Sequence, residues 1–367
     1  MNNFPDGTHV WLQSRARRGY LHADEDGSGV SLSNSRATLN AAWQVHRIVH
    51  GGVDYVLLRS AAYGRYLALS ASLAADGHRG REAAQRDFNE PQQLNVRWRA
   101  VSAGDGSGYV LLYNVLVSEE RFLRANGRYR RWNSGVTVDV VGNGGRSTMM
   151  HWTVMEIPLR PAPPALPNPS TDQVKLAIGF CVRFVLVTMS IAVAIGSGSP
   201  YIWPVPYSHW CTVVLTFGLA KFCLGSRILA PLRKDLGVPT GLLQRRRTGR
   251  VTDRQRTIRY MRANDEGNFL GAETFRFFGR SVFNLRYEVA VKVNEDMLTI
   301  TLCAHAGFYG RLTPLVVDLP RSQDPLDIVV LPNNSPAAMG LRHPNVDDPV
   351  PWEQDFYSNF MSDPRIQ

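Results

Sequence analysis

The chain has 367 residues, 41 basic against 31 acidic, a formal charge of +10 and 44% hydrophobic residues, which is enough for two ordinary domains and a linker. Its four cysteines (Cys181, Cys211, Cys223 and Cys303) include no Cys-x-x-Cys pair, which excludes a disulfide framework and a zinc pattern and points to a reducing compartment. The charge is uneven: +4 over 1–158 (18 basic, 14 acidic), +3 over 159–224 (4, 1), +7 over 225–256 (9, 2) and −4 over 257–367 (10, 14).

Residues 1–158 repeat one pattern three times. His9-Val-Trp-Leu12 with Gly19-Tyr-Leu21, Tyr55-Val-Leu-Leu58 with Arg65-Tyr-Leu67, and Tyr109-Val-Leu-Leu112 with Arg121-Phe-Leu123 are equivalent segments. Each copy closes on a tryptophan within an apolar alternation. Trp43, Trp98 and Trp152 are spaced 55 and 54 residues apart (98 − 43, 152 − 98). A repeat of this length is one supersecondary unit that cannot bury its apolar face alone. Short alternating strands between turns such as Asp26–Gly29 and Gly104–Gly108 predict four strands per copy, and three copies make a β-trefoil. The tryptophans alternate with valine and are expected to plug the barrel. Such a barrel presents loops for binding and lowers the expectation of catalysis, although the loops still have to be read for chemistry.

The proline density from Pro158 to Pro169 admits neither helix nor central strand, so 159–175 reads as an extended spacer. Residues 176–230 follow as an apolar helical insert. Leu176–Ile195 reaches the length of a bilayer span, about 20 residues, and is interrupted by Arg183; Trp210–Leu224 is shorter. Lys and Arg lie outside the pair (Arg160, Lys175, Arg227, Arg233, Lys234) and neither occurs in the connection 196–209, which fits a hairpin with both ends in the cytoplasm. Three readings stand here: a membrane hairpin, a docked helical insert, or translated non-coding sequence. The linker 231–256 carries Arg245, Arg246, Arg247 and Arg250. Such a run can bind nucleic acid, anionic lipid or an acidic protein face, or simply be solvated.

Residues 257–331 read as a compact α+β unit. Strands are predicted at Thr257–Arg262 and Thr274–Phe278 around the turn Asp265–Asn268. Ser281 is the expected N-cap of a helix whose inner face is Val282, Leu285, Val289 and Val293. Strands at Leu298–Cys303, Leu312–Leu319 and Leu326–Leu331 complete the order ββαβββ of a ubiquitin-like β-grasp. The stretch 332–367 is rich in proline and asparagine without periodicity, which predicts a disordered tail. The fold class is thus mainly β, with a trefoil at 1–158 and a β-grasp domain at 257–331.

Motifs that carry chemistry are scarce. There is no phosphate loop, His-Glu-x-x-His motif or Gly-x-Ser-x-Gly elbow. Cys303 and His305 share a strand face and could pair as thiolate and base, but ordinary packing of a buried cysteine explains them better. Asp24, Glu25 and Asp26 lack the spacing of a calcium loop and read as a hairpin turn. The Gln-x-Trp signature of ricin-type sugar-binding trefoils is also missing. No catalytic, cofactor-binding or metal-ligating residue is therefore expected. Arginine remains, 37 against 4 lysines overall and 18 against none in 1–158. Arg15, Arg17 and Arg18 share one trefoil loop. Arg128, Arg130 and Arg131 share another, interleaved with Tyr129 and Trp132. Guanidinium forks bind carboxylates and phosphates bidentately and stack on aromatic rings, which makes these the candidate binding loops; solvated loops under an arginine bias are the plain alternative.

Gly64-Arg-Tyr-Leu67, Arg121-Phe-Leu-Arg-Ala-Asn-Gly127, Trp132-Asn-Ser-Gly-Val-Thr-Val138 and His151-Trp-Thr-Val154, together with Arg256-Thr-Ile-Arg-Tyr260 and Gly279-Arg-Ser281, resemble the plant domain-of-unknown-function 569 family, also called actin cross-linking-like. The resemblance covers roughly 5–158 and 256–331. It implies a fascin-like trefoil followed by a β-grasp domain, with no established enzymatic activity. The apolar insert departs from the polar linker usual in that family. The resulting expectation is a non-enzymatic, cytoplasmic adaptor of plants that docks filamentous actin or another acidic protein through its trefoil loops. The alternatives are a sugar- or anionic-lipid-binding module tethered to a membrane by 176–224 and, more weakly, nucleic-acid binding through the 245–256 arginines.

Overall fold

The computed structural model describes residues 3–104, 106, 108–114, 116, 120–126, 134–141, 147–168, 255–264 and 269–348. The apolar insert at 176–230, the linker arginines Arg245, Arg246, Arg247 and Arg250, and the loop Arg128, Tyr129, Arg130, Arg131 and Trp132 lie outside these residues. Among the described residues no helix is long and apolar enough to cross a membrane.

The threefold pattern becomes three four-stranded units. The first holds β1 (His9–Ser14), β2 (Tyr20–Ala23), β3 (Val30–Ser33) and β4 (Trp43–His50). The second holds β5 (Val53–Ser60), β6 (Tyr66–Leu73), β7 (Arg81–Arg86) and β8 (Trp98–Ser102), and the third β9 (Val110–Asn114), β10 (Arg121–Ala125), β11 (Val136–Val140) and β12 (Trp152–Ile157). The outer strands of each unit close a ring, β1–β4–β5–β8–β9–β12–β1, with every neighbour antiparallel. The inner strands form the hairpins β2–β3, β6–β7 and β10–β11, whose mutual bridges cap one end of the barrel. Closure of the six-stranded ring gives each of its strands two neighbours, which is what three copies achieve and one cannot.

Trp43, Trp98 and Trp152 are completely buried in one core with Leu12, Leu21, Val56, Leu67 and Leu123. Their indole N–H groups donate to the carbonyls of Leu21 (3.0 Å), Leu67 (2.9 Å) and Leu123 (3.0 Å) respectively. Each tryptophan therefore pins the second strand of its own unit, as a buried indole requires a partner for its N–H. A short 3₁₀ turn, at Leu39–Ala41, Leu94–Val96 or Thr148–Met150, precedes each one. The Asp26 carboxylate accepts from the Ser28 and Gly29 amides (both 2.8 Å), so the acidic cluster does build the β2–β3 turn.

The second domain is ubiquitin-like. Strands β13 (Gln255–Ala263), β14 (Phe269–Phe278), β15 (Ile300–Ala304), β16 (Thr313–Pro314) and β17 (Leu326–Pro332) lie in the order β14–β13–β17–β15–β16, with β13 and β17 parallel. Helix α1 (Val282–Val293) packs Val282, Leu285 and Val289 into a core with Ile258, Phe277, Leu302 and Ile328. The Ser281 hydroxyl accepts from the Asn284 amide (3.3 Å), which realises the expected cap, and Asn294 ends the helix in the left-handed region.

Two expectations differ from the structure. The strand predicted over 312–319 contracts to Thr313–Pro314; beyond it Leu315 and Leu319 pack into the β-grasp core while Val317 packs on the trefoil core. The composition of 332–367 predicts disorder, yet 333–348 hold defined positions. Ser335 caps the short helix α2 (Pro336–Met339), and Asn345 N–H donates to Pro158 O (2.8 Å) while Arg160 N–H donates to His343 O (2.8 Å). Val346 then enters the cluster of Trp11, Tyr20 and Ile157. This segment's partners lie far away in sequence, at both ends of the trefoil.

Candidate functional site

The described candidate loop is mostly turned inward. Arg15 Nη1 donates to His151 Nδ1 (3.1 Å), and its guanidinium lies 4.5 Å from the Tyr109 ring centroid. Nε and Nη1 of Arg17 are shut off from solvent without a hydrogen-bond partner. Arg18 is exposed, with φ 57°, and its carbonyl accepts from Gln13 Nε2 (3.1 Å). Cys303 is fully buried and its thiol is pushed up to about 12 by that burial, so it carries no thiolate for a pairing with His305.

Other arginines bind the two domains together. The backbone of the 305–311 loop lies against Phe88: Phe88 N–H donates to Ala306 O and Tyr309 N–H to Phe88 O, both at 2.9 Å. Arg311 N–H donates to the Tyr66 hydroxyl (3.0 Å), and the Arg311 guanidinium takes both Asp6 oxygens at 3.0 Å. Burial alone would raise the Asp6 carboxyl; Arg311 and the Arg47 amide outweigh it and hold the group below its usual range. A second seam joins Glu25 to Arg321 (2.8 Å) and Arg280 (3.6 Å), and Arg65, which also pairs with Asp87 of its own domain (3.1 Å), to Asp324 (3.7 Å).

Beside the Asp6–Arg311 clasp lies a cavity of about 270 Å³ walled by both domains. From the trefoil come Asp6, His9 and Arg59, and from the second domain and its extension come Arg311, Thr313 and Arg342. Strand β5 carries Arg59 at the end of an apolar run, 5% exposed. Its Nη2 donates to Gln44 Oε1, while Nη1 has no partner. Among the described residues no carboxylate pairs with it. Burial lowers this guanidinium to about 10, which leaves it charged at neutral pH. His9 is 3% exposed; burial first, then the charge of Arg59, pull its imidazole to about 3, so it is neutral. Among the described residues His9 Nδ1 and Thr313 Oγ1 are likewise buried without partners. Each such atom costs about 1–3 kcal/mol relative to a satisfied one, so an occupant that supplied a partner would recover part of that cost.

The sequence motifs missed this wall. The repeat offered one trace of it. The three equivalent positions are Gln13, Arg59 and Tyr113, so a charged residue breaks the threefold pattern in the second copy alone.

The family described as "Beta-trefoil domain of unknown function (DUF569)" matches residues 1–155, and the "DUF569 associated ubiquitin-like domain" matches 254–331. No curated protein matches the chain. Among solved structures, a designed threefold-symmetric protein, ThreeFoil, is similar at 20% identity, covering 40% of this chain and 96% of its own, with a TM-score of 0.31. An SDF2-like protein from Arabidopsis thaliana is similar at 14% identity, over 41% of this chain and 94% of its own, with a TM-score of 0.33. SeviL, solved bound to asialo-GM1 saccharide, is similar at 11% identity, over 41% and 97%, with a TM-score of 0.30.

Proposed function

We propose that this chain, which belongs to the DUF569 β-trefoil family and carries its associated ubiquitin-like domain, is a non-enzymatic binding protein whose ligand is held at the junction of the two domains. The observation that carries this reading is the cavity wall of Arg59, His9 and Thr313, three buried polar side chains with atoms left unpartnered. Concave sites with a few convergent polar groups are where small molecules bind. The test is amide hydrogen exchange on the full-length chain with inorganic phosphate, succinate or galactose. A bound ligand should protect residues 5–9, 59–61 and 311–316. Protection confined to other loops would overturn the reading.

A second reading is docking on an acidic protein, with filamentous actin the first candidate. It is supported by Arg18, exposed on a backbone fixed by Gln13 and Ser14. Co-sedimentation with actin that is lost on Arg18→Glu would favour this reading over the junction site.

A further inference from the structure

We infer that the junction cavity takes a small oxyanion, a phosphate- or carboxylate-bearing molecule, with Arg59 as its anchor and Arg342 closing over it. The inference rests on the junction being the binding site. Charge is the first argument. The lining holds three arginines, Arg59, Arg311 and Arg342, against one carboxylate, Asp6, which is already bound at both oxygens by Arg311. Three cations less one anion leaves two positive charges without a counter-charge in the wall, since His9 stays neutral there. A buried cation is retained where something compensates it, and Arg59 has only a neutral carboxamide.

Size and lining decide the rest. A cavity of about 270 Å³ lies below the range of about 300–1,000 Å³ typical of drug-sized ligands, which limits the occupant to a compact molecule. Among the described residues no Trp, Tyr or Phe lines it, so these supply no aromatic platform on which a neutral sugar ring would stack. A planar guanidinium with an unspent N–H matches an oxyanion edge. Arg342 comes from the extension after α2 and lies over Gly7, its Nη1 only 3.3 Å from where a Cβ on that residue would sit. The segment 340–344 therefore lines the cavity together with Gly7, and Arg342, an exposed cation of that wall, can approach an occupant.

The test is calorimetric titration of the full-length protein with inorganic phosphate, succinate and galactose, repeated on Arg59→Met and Arg342→Gln. Saturable binding of phosphate or succinate, weakened about tenfold or more in each variant, is expected, since each removes at least one charge-assisted hydrogen bond. Whichever of the two binds identifies the group. Should Arg59→Met not fold, Arg342→Gln carries the test, because Arg342 is exposed and outside the core. Oxyanion binding unaltered in the folded variants overturns the inference. Galactose binding at the junction without oxyanion binding also overturns it, but leaves the junction standing as the site. No protection of the junction by any of the three overturns both.

Discussion

Replacing Gly307 by alanine tests whether the two domains are one cooperative body. Gly307 has φ 92°, and a Cβ there would lie 2.5 Å from both the carbonyl carbon and oxygen of Phe88 and 2.6 Å from its nitrogen. Those contacts are with backbone, so no rotamer relieves them. The loop must lift, which breaks the two 2.9 Å hydrogen bonds between Phe88 and the loop. Left-handed strain contributes about 1–2 kcal/mol, and two backbone hydrogen bonds about 0.5–1.5 kcal/mol each, so the loss should total about 2–5 kcal/mol. Differential scanning calorimetry should show a fall in Tm of about 2–4 °C for each kcal/mol, with the single transition splitting as the domains uncouple. Gly51→Ala is the control: φ is 58° and nothing lies within 4 Å of the added Cβ, so only strain is incurred. Equal losses in the two variants, or an unsplit transition in Gly307→Ala, would refute the reasoning.

Two further outcomes follow from buried groups. His9 and His46 are held neutral by burial, at about 3 and about 4, against an unfolded value near 6.5, so the unfolded chain binds more protons below that pH. Stability is therefore full above pH 6.5 and falls as the pH drops toward the folded values. His9 accounts for about 1.4 kcal/mol per pH unit, or roughly 2 kcal/mol by pH 5, and His46 acts in the same direction. Urea unfolding at pH 7 and pH 5 measures this, and a His9→Gln variant with an undiminished acid loss would refute the assignment. In the barrel, Trp98→Phe leaves the Leu67 carbonyl without its partner and should cost at least about 1–3 kcal/mol. Trp43→Phe and Trp152→Phe should match it in denaturant midpoint, and widely unequal losses would argue against three equivalent pins.

The trefoil and the helix were legible because both are written in local periodicity. The tryptophan spacing, the Tyr-Leu and Phe-Leu pairs and the Ser281 cap each state their geometry within a few residues, and the structure places Trp43, Trp98, Trp152 and Ser281 in those roles. The short β16 was less legible, since the apolar run 312–319 fits a strand, whereas its residues divide between the β-grasp core and the trefoil core. Residues 333–348 carry no period at all. Their order comes from pairing with Pro158–Arg160 and from Val346 entering the Trp11 cluster.

The candidate site divides the same way. The sequence showed an excess of arginine and no catalytic motif, but could not say which guanidiniums face solvent. Asp6 and Arg311 meet across 305 residues and Arg36 reaches the Asp348 carbonyl across 312, separations over which no local pattern carries information. Repeat and period, being local, determined the barrel and the helix from the sequence alone. The clasp between the domains, the charge left on Arg59 and the cavity beside it arise only when distant segments close around one another, because burial and pairing are properties of the packed chain and not of any segment within it.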